Sequence, residues 1–164
     1  MIDLQNVNKS YGQGDTAFHV LKDINLHIDQ GEFVAIMGPS GSGKTTLINI
    51  IGFLDTAFEG KYLFEDENVA NFNATTASHM RNRNVGFVFQ NFSLIHNLNI
   101  FENVLIPLSY GGKRRSEVKG RIAELLDSVG LPGVEDKLPR NLSGGQQQRV
   151  AIARALANSP QFLI

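Results

Sequence analysis

At 164 residues the chain has the length of one domain able to bury a hydrophobic core. Hydrophobic residues make up 42% and charged residues 19%, with 15 Lys+Arg against 16 Asp+Glu, so the sequence is not that of a disordered tail. A net charge of -1 gives no electrostatic footprint for nucleic acid, and no nucleic-acid partner is expected. The absence of cysteine excludes a disulfide framework, a thiol nucleophile and thiolate metal sites, and suits a reducing cytosol.

Met1-Ile2-Asp3-Leu4 has no basic, then apolar, leader pattern, and no apolar run approaches the roughly 18 residues of a membrane span. Apolar and polar residues alternate at Ile2 and Leu4 and again at Ile24, Leu26 and Ile28, which predicts half-buried antiparallel strands around a loop at Tyr11-Gly12-Gln13-Gly14-Asp15. Phe33-Val34-Ala35-Ile36-Met37, bounded by Gly31 and Gly38, reads as a strand buried on both faces. A turn and a helix over Thr45–Phe53 follow, then a peripheral hairpin over Gly60–Val69.

Val85–Phe89 is a second apolar strand, and Asn91–Val104 is expected to be partly helical. Ser116–Val129 carries Val118, Ile122, Leu125, Leu126 and Val129 on one helical face, with Gly130 as its stop. A last helix over Gly145–Ala157 closes at Asn158-Ser159-Pro160, and Phe162-Leu163-Ile164 opens a third strand. No repeat, heptad seam or low-complexity linker is present.

The 16 glycines are somewhat above ordinary usage of about 7%, and much of the excess sits in two clusters. Gly38-Pro39-Ser40-Gly41-Ser42-Gly43-Lys44-Thr45 satisfies the pattern G-x-x-x-x-G-K followed by Ser or Thr, and falls between the predicted strand and helix. Glycines let successive backbone N–H groups curl around phosphate oxygens, and the helix that starts here adds its positive end. Lys44 is placed to reach the β and γ phosphates, and the Thr45 hydroxyl to coordinate Mg²⁺. The second cluster, Leu142-Ser143-Gly144-Gly145-Gln146, has Ser143 as an N-cap and two glycines that leave the first helical N–H groups open to an anion; alone it reads equally well as an ordinary capped helix.

Together these motifs resemble the nucleotide-binding domain of ATP-binding cassette (ABC) proteins, whose signature is LSGGQ. The resemblance covers the whole chain. It implies an α/β fold of the P-loop NTPase type: a core with a mostly parallel sheet, an N-terminal antiparallel β-subdomain and a helical signature subdomain, incomplete at the C-terminus. Its implied divisions are a β-subdomain and phosphate-loop core over 1–90, a glutamine-loop and helical subdomain over 91–145, and the signature helix with the start of a strand over 146–164. By the same resemblance Tyr11 stacks on adenine with Val20 as an apolar contact, and Gly38, Ser40, Gly41, Ser42, Gly43, Lys44, Thr45 and Thr46 hold the phosphates. Gln90 approaches Mg²⁺ and the attacking water, and Lys44 and Gln90 are the catalytic candidates. Ser143, Gly144, Gly145 and Gln146 contact ATP bound to the opposite subunit. The wording Gly86-Phe87-Val88-Phe89-Gln90, Leu94-Ile95 and Glu102-Asn103-Val104-Leu105-Ile106-Pro107-Leu108 is most similar to the macrolide-export and lipoprotein-release subgroup.

The implied function is the ATP-binding subunit of a transporter at the cytoplasmic face of the cell membrane, using ATP and Mg²⁺. Its implied partners are a membrane permease and a second ATP-binding subunit joined head to tail. In the family, the strand opening at Phe162 continues into an acidic pair, which this sequence does not include, so binding without useful turnover is expected. An exposed sheet edge that favours self-association is expected too. Alternatives are a non-catalytic scaffold piece, and the DNA-repair and chromosome-organising ABC branch, against which the short spacing between the motifs argues. Phe92, Leu94, Ile95 and Leu98 read equally as core or as a docking patch. Lys113-Arg114-Arg115 reads as a solvated loop, and His19, His27, His79 and His96 lack metal-ligand spacing.

Overall fold

A computed structural model of the chain describes residues 1–12 and 14–164; Gln13, in the expected Tyr11–Asp15 loop, lies outside the described residues. The chain divides into two compact units, Met1–Ser78 and His79–Ile164.

In the first unit, β1 (Ile2–Tyr11) pairs antiparallel with β2 (Phe18–Ile28), Ile2 opposite Ile28 and Leu4 opposite Leu26, with irregularities beyond Leu4. On its other edge β1 pairs with β3 (Glu59–Phe64), and β4 (Glu67–Asn68) closes the sheet in the order β2-β1-β3-β4. Alternation buries Ile2 and Leu4 from β1 and Tyr62 and Phe64 from β3. The β3–β4 connection is made by Glu65 and Asp66, both left-handed at φ 50° and 67°, the twist that a two-residue hairpin needs.

Helix α1 (Lys44–Ile51) buries Leu47, Ile50 and Ile51. It ends in the double hydrogen bond of a left-handed terminus: Leu54 N–H donates to Asn49 O at 2.8 Å and Phe53 N–H to Ile50 O at 3.1 Å. The left-handed residue is Phe53, at φ 58°, where glycine is usual. Its ring is 1% exposed, stacked 5.7 Å from Tyr62 and edge-on 5.2 Å from Phe64. Aromatic burial outweighs the backbone cost there.

The strand expected over Phe33–Met37 is not formed. Among the described residues it has no ladder partner, and Phe33 and Met37 are 98% and 88% exposed. Such a run becomes a strand only when a neighbour satisfies its backbone along at least one edge, and the four-stranded sheet is paired elsewhere. The parallel part of the fold, among the described residues, is the pair β5 (Val85–Gly86) and β6 (Phe162–Leu163), with Val85 opposite Phe162 and Gly86 opposite Leu163. Two further bonds, from Ile164 N–H to Gly86 O at 2.9 Å and from Val88 N–H to Ile164 O at 2.7 Å, follow it, and β5 is shorter than the expected Val85–Phe89.

Helix α2 (Ala74–Asn84) runs across the division between the units and has no counterpart in the sequence reading. Its polar sequence carries no apolar stripe, and its start is marked only by Asn73, whose side chain accepts the Thr76 N–H at 2.8 Å. The second unit packs α3 (Ile100–Tyr110), α4 (Arg115–Ser128) and α5 (Gly144–Ala155) around Val104, Leu108, Ile122, Leu126, Val150 and Ala153. The expected partial helix in Asn91–Val104 starts only at Ile100, where Asn99 and Glu102 form a reciprocal cap, and continues through Pro107 to Tyr110. Phe92–Leu98 divides between the two readings offered for it: Leu94 is core, whereas Ile95 is 48% exposed. No helix among the described residues is long and apolar enough to cross a membrane.

Candidate functional site

The loop Gly38–Gly43 delivers the chain into the N-terminus of α1. Gly43 is the residue ahead of the helix, left-handed at φ 86°, and no side chain caps the helix there. A Cβ on Gly43 would lie 2.9 Å from Leu21 Cδ2 and 3.1 Å from both Val20 Cγ1 and Val20 O, so only glycine fits. That close approach places Val20 of β2 directly behind the loop. The first-turn N–H groups of Lys44, Thr45 and Thr46 have no acceptor within a helix, and the end they define carries the positive pole of α1.

Ser42 N–H donates to Pro39 O at 3.3 Å, which folds the tip, and leaves Ser40 and Gly41 exposed. The Lys44 ammonium reaches back across the loop to donate to Gly38 O at 2.8 Å and Pro39 O at 2.7 Å. These carbonyls hold the cation at the mouth with weak, neutral acceptors, which phosphate oxygens would outcompete. Thr45 is exposed and Thr46 half-buried. Among the described residues no group of three or more His, Cys, Asp or Glu could hold a metal.

Tyr11 ends β1 and is 46% exposed, its hydroxyl 3.4 Å from Asp55 Oδ2. Asp55 and its partner Lys9 are absent from the sequence reading. Burial pushes the Asp55 carboxyl up, but the Lys9 ammonium, the Ala57 N–H and the Tyr11 hydroxyl together hold it below its ordinary value.

In the second unit Gln90 is exposed and follows the end of β5. The turn after it has Phe92 and Ser93 left-handed, at φ 60° and 45°. Arg154 of α5 holds that turn: its guanidinium donates to Phe92 O at 2.8 Å and Ser93 O at 2.6 Å. Burial pulls this guanidinium below its usual range, although arginine stays charged. Asn103 fastens the next stretch. Wholly buried, it accepts from Ile95 N–H at 2.8 Å and donates to the carbonyls of Ile95, Leu98 and Asn99 at 3.0–3.1 Å.

Ser143 caps α5: its hydroxyl accepts the Gln146 N–H at 3.3 Å, and Gln146 Oε1 accepts the Ser143 N–H at 2.9 Å. Gly144 and Gly145, between them, are exposed, and a Cβ on either would meet only open space. Ser143 and Gln146 thus arrange each other and leave the glycine backbone as the accessible surface. Arg154 and Asn103 also escaped the sequence reading. A lone Arg inside a helix and a lone Asn after a cap give no signal of the carbonyls they will meet.

Comparison with known proteins gives the family. Its profile, described as ABC transporter, matches residues 21–164. The chain is 47% identical over its full length to an ABC transporter ATP-binding protein of Bacillus subtilis, YknY, and covers 71% of that relative. It is 45% identical over its full length to the macrolide export ATP-binding/permease protein MacB of Mannheimia succiniciproducens, but spans only 26% of that protein. Among solved structures, the dimeric ATP-binding cassette MJ0796 in a post-hydrolysis state bound to ADP and Pi superposes with a TM-score of 0.88 at 44% identity, covering 99% of this chain and 72% of that one. A glycine ahead of α1 that admits no side chain and a glycine-rich capped helix therefore occur in a sequence matched along its length by such cassettes: the chain belongs to the ABC transporter family.

Proposed function

We propose that the chain binds Mg·ATP as the ATP-binding part of an export or release transporter, acting at the cytoplasmic face of a membrane with a permease and a second ATP-binding subunit. The observation that carries this reading is the uncapped N-terminus of α1, with Lys44 held across the loop ahead of it. Open N–H groups, a helix pole and a displaceable ammonium together form a site for a polyanion. The Thr45 hydroxyl is the proposed metal contact, with Gln90 as a second. A bound Mg²⁺ would neutralise charge on the terminal phosphates. Val20 and Tyr11 are the proposed neighbours of the nucleoside. Ser143, Gly144, Gly145 and Gln146 are the proposed contacts to nucleotide held by the second subunit, through the N–H groups that the Ser143–Gln146 cap leaves open.

Lys44 and Gln90 are the residues proposed to act on the phosphates and the attacking water. Names of relatives such as MacB and the pyoverdine export protein PvdT support an export role, and the dimeric cassette supports pairing with a second ATP-binding subunit. Titration of the chain with Mg·ATP tests the reading. Lys44→Ala should weaken binding by at least about tenfold, the effect of removing a charge-assisted contact. Equal affinity in the variant would refute the phosphate-loop assignment.

A further inference from the structure

The tyrosine at the end of β1 does not stand alone. Residues two apart on a strand share a face, and the Lys9 ammonium lies over the Tyr11 ring, 5.0 Å from its centroid. Lys9 is only 8% exposed. It contacts both oxygens of Asp55, at 2.9 and 2.7 Å, and donates to the Ala57 carbonyl. Asp55 also accepts the Ala57 N–H at 2.9 Å, and its own N–H donates to Asn49 O at 3.1 Å, in the C-terminal half of α1. Ring, ammonium, carboxylate and the phosphate-loop helix therefore form one connected set within the first unit.

A buried ion pair is a poor way to gain stability, because desolvation offsets much of its attraction and an apolar pair of similar volume often does as well. What it does uniquely here is set direction. It fixes a cation over a ring that is 46% exposed, so the ring keeps surface open to a planar partner. A ring immobilised in this way binds a planar partner without first losing its own freedom, and the cation draws π density toward itself, which alters how the free face stacks.

We infer that Lys9 and Asp55 are positioning residues that hold the Tyr11 ring as the stacking platform for the base of the bound nucleotide. The inference rests on the nucleotide reading above and adds to it the pair that sets the aromatic in place.

Calorimetric titration with two probes tests it: Mg·ATP, and Mg²⁺ with inorganic tripolyphosphate, which has the phosphates and no base. Lys9→Met keeps the length of the stem and removes the charge; Asp55→Asn is the milder second variant should the first fail to fold. Either should weaken Mg·ATP by roughly fivefold and leave tripolyphosphate unchanged. In the Lys9→Met background, Tyr11→Ala should then add less than about twofold, because the two changes remove one interaction. Loss of both probes to the same degree would show that the pair only supports the fold, and unchanged Mg·ATP affinity would show that it does nothing for the ring; either result overturns the inference while the nucleotide reading stands. If the unsubstituted chain holds neither probe, the nucleotide reading fails and the inference falls with it.

Discussion

Phe53 sets two effects of known size against each other. Its backbone is left-handed, which costs a residue with a side chain about 1–2 kcal/mol, while its ring fills the centre of the first unit's core. Removing a buried Phe ring costs about 3–5 kcal/mol. Phe53→Ala forfeits the ring and keeps the backbone penalty, so the full loss is expected, about 4 kcal/mol. Phe53→Gly forfeits the ring and relieves the penalty. At a positive φ the gain exceeds what glycine loses through its freer unfolded chain, leaving this variant about 1 kcal/mol more stable than the alanine variant. Ordinary helical or strand positions give the reverse order. Urea unfolding followed by far-UV circular dichroism would show the gap as a midpoint difference on the order of 0.5 M. An alanine variant as stable as the glycine variant, or more so, would refute the account of this helix end.

Other outcomes follow from other sites. Asn103→Leu should destabilise the chain by about 2–4 kcal/mol, since it orphans the buried Ile95 N–H and several carbonyls, and hydrogen exchange at the Ile95 amide should accelerate; a loss under about 1 kcal/mol with unchanged exchange would contradict this. Because Asp55 is held below its ordinary value, its contribution is present above about pH 3.9 and is lost as the pH falls through the lowered value; the stability difference between the wild type and Asp55→Asn should therefore be flat above about pH 5 and shrink in acid. With Phe33 and Met37 exposed on a segment that pairs with no strand among the described residues, Phe33→Lys should reduce self-association measured by light scattering, and no change would point to a different contact surface.

The two glycine clusters could be read from the sequence because their requirement is local: a left-handed backbone at Gly43 and a cap at Ser143 depend on residues within a few positions. Helix α4 was legible for the same reason, through its apolar stripe. Phe33–Met37 was not, because whether an apolar run becomes a strand depends on edges supplied from far along the chain. Helix α2 was hidden by a sequence with no periodic apolar face. Lys9 and Asp55 are 46 residues apart, and nothing near either one announces the other.

The grip of Arg154 on the turn after Gln90 has a mechanical consequence. A loop with two successive left-handed residues would ordinarily fluctuate on its own, yet here its carbonyls are bolted to the helix that begins at the glycine-rich cap. Through the two carbonyls that Arg154 grips, movement of α5 is coupled to the turn after Gln90, and release of the guanidinium would loosen that linkage.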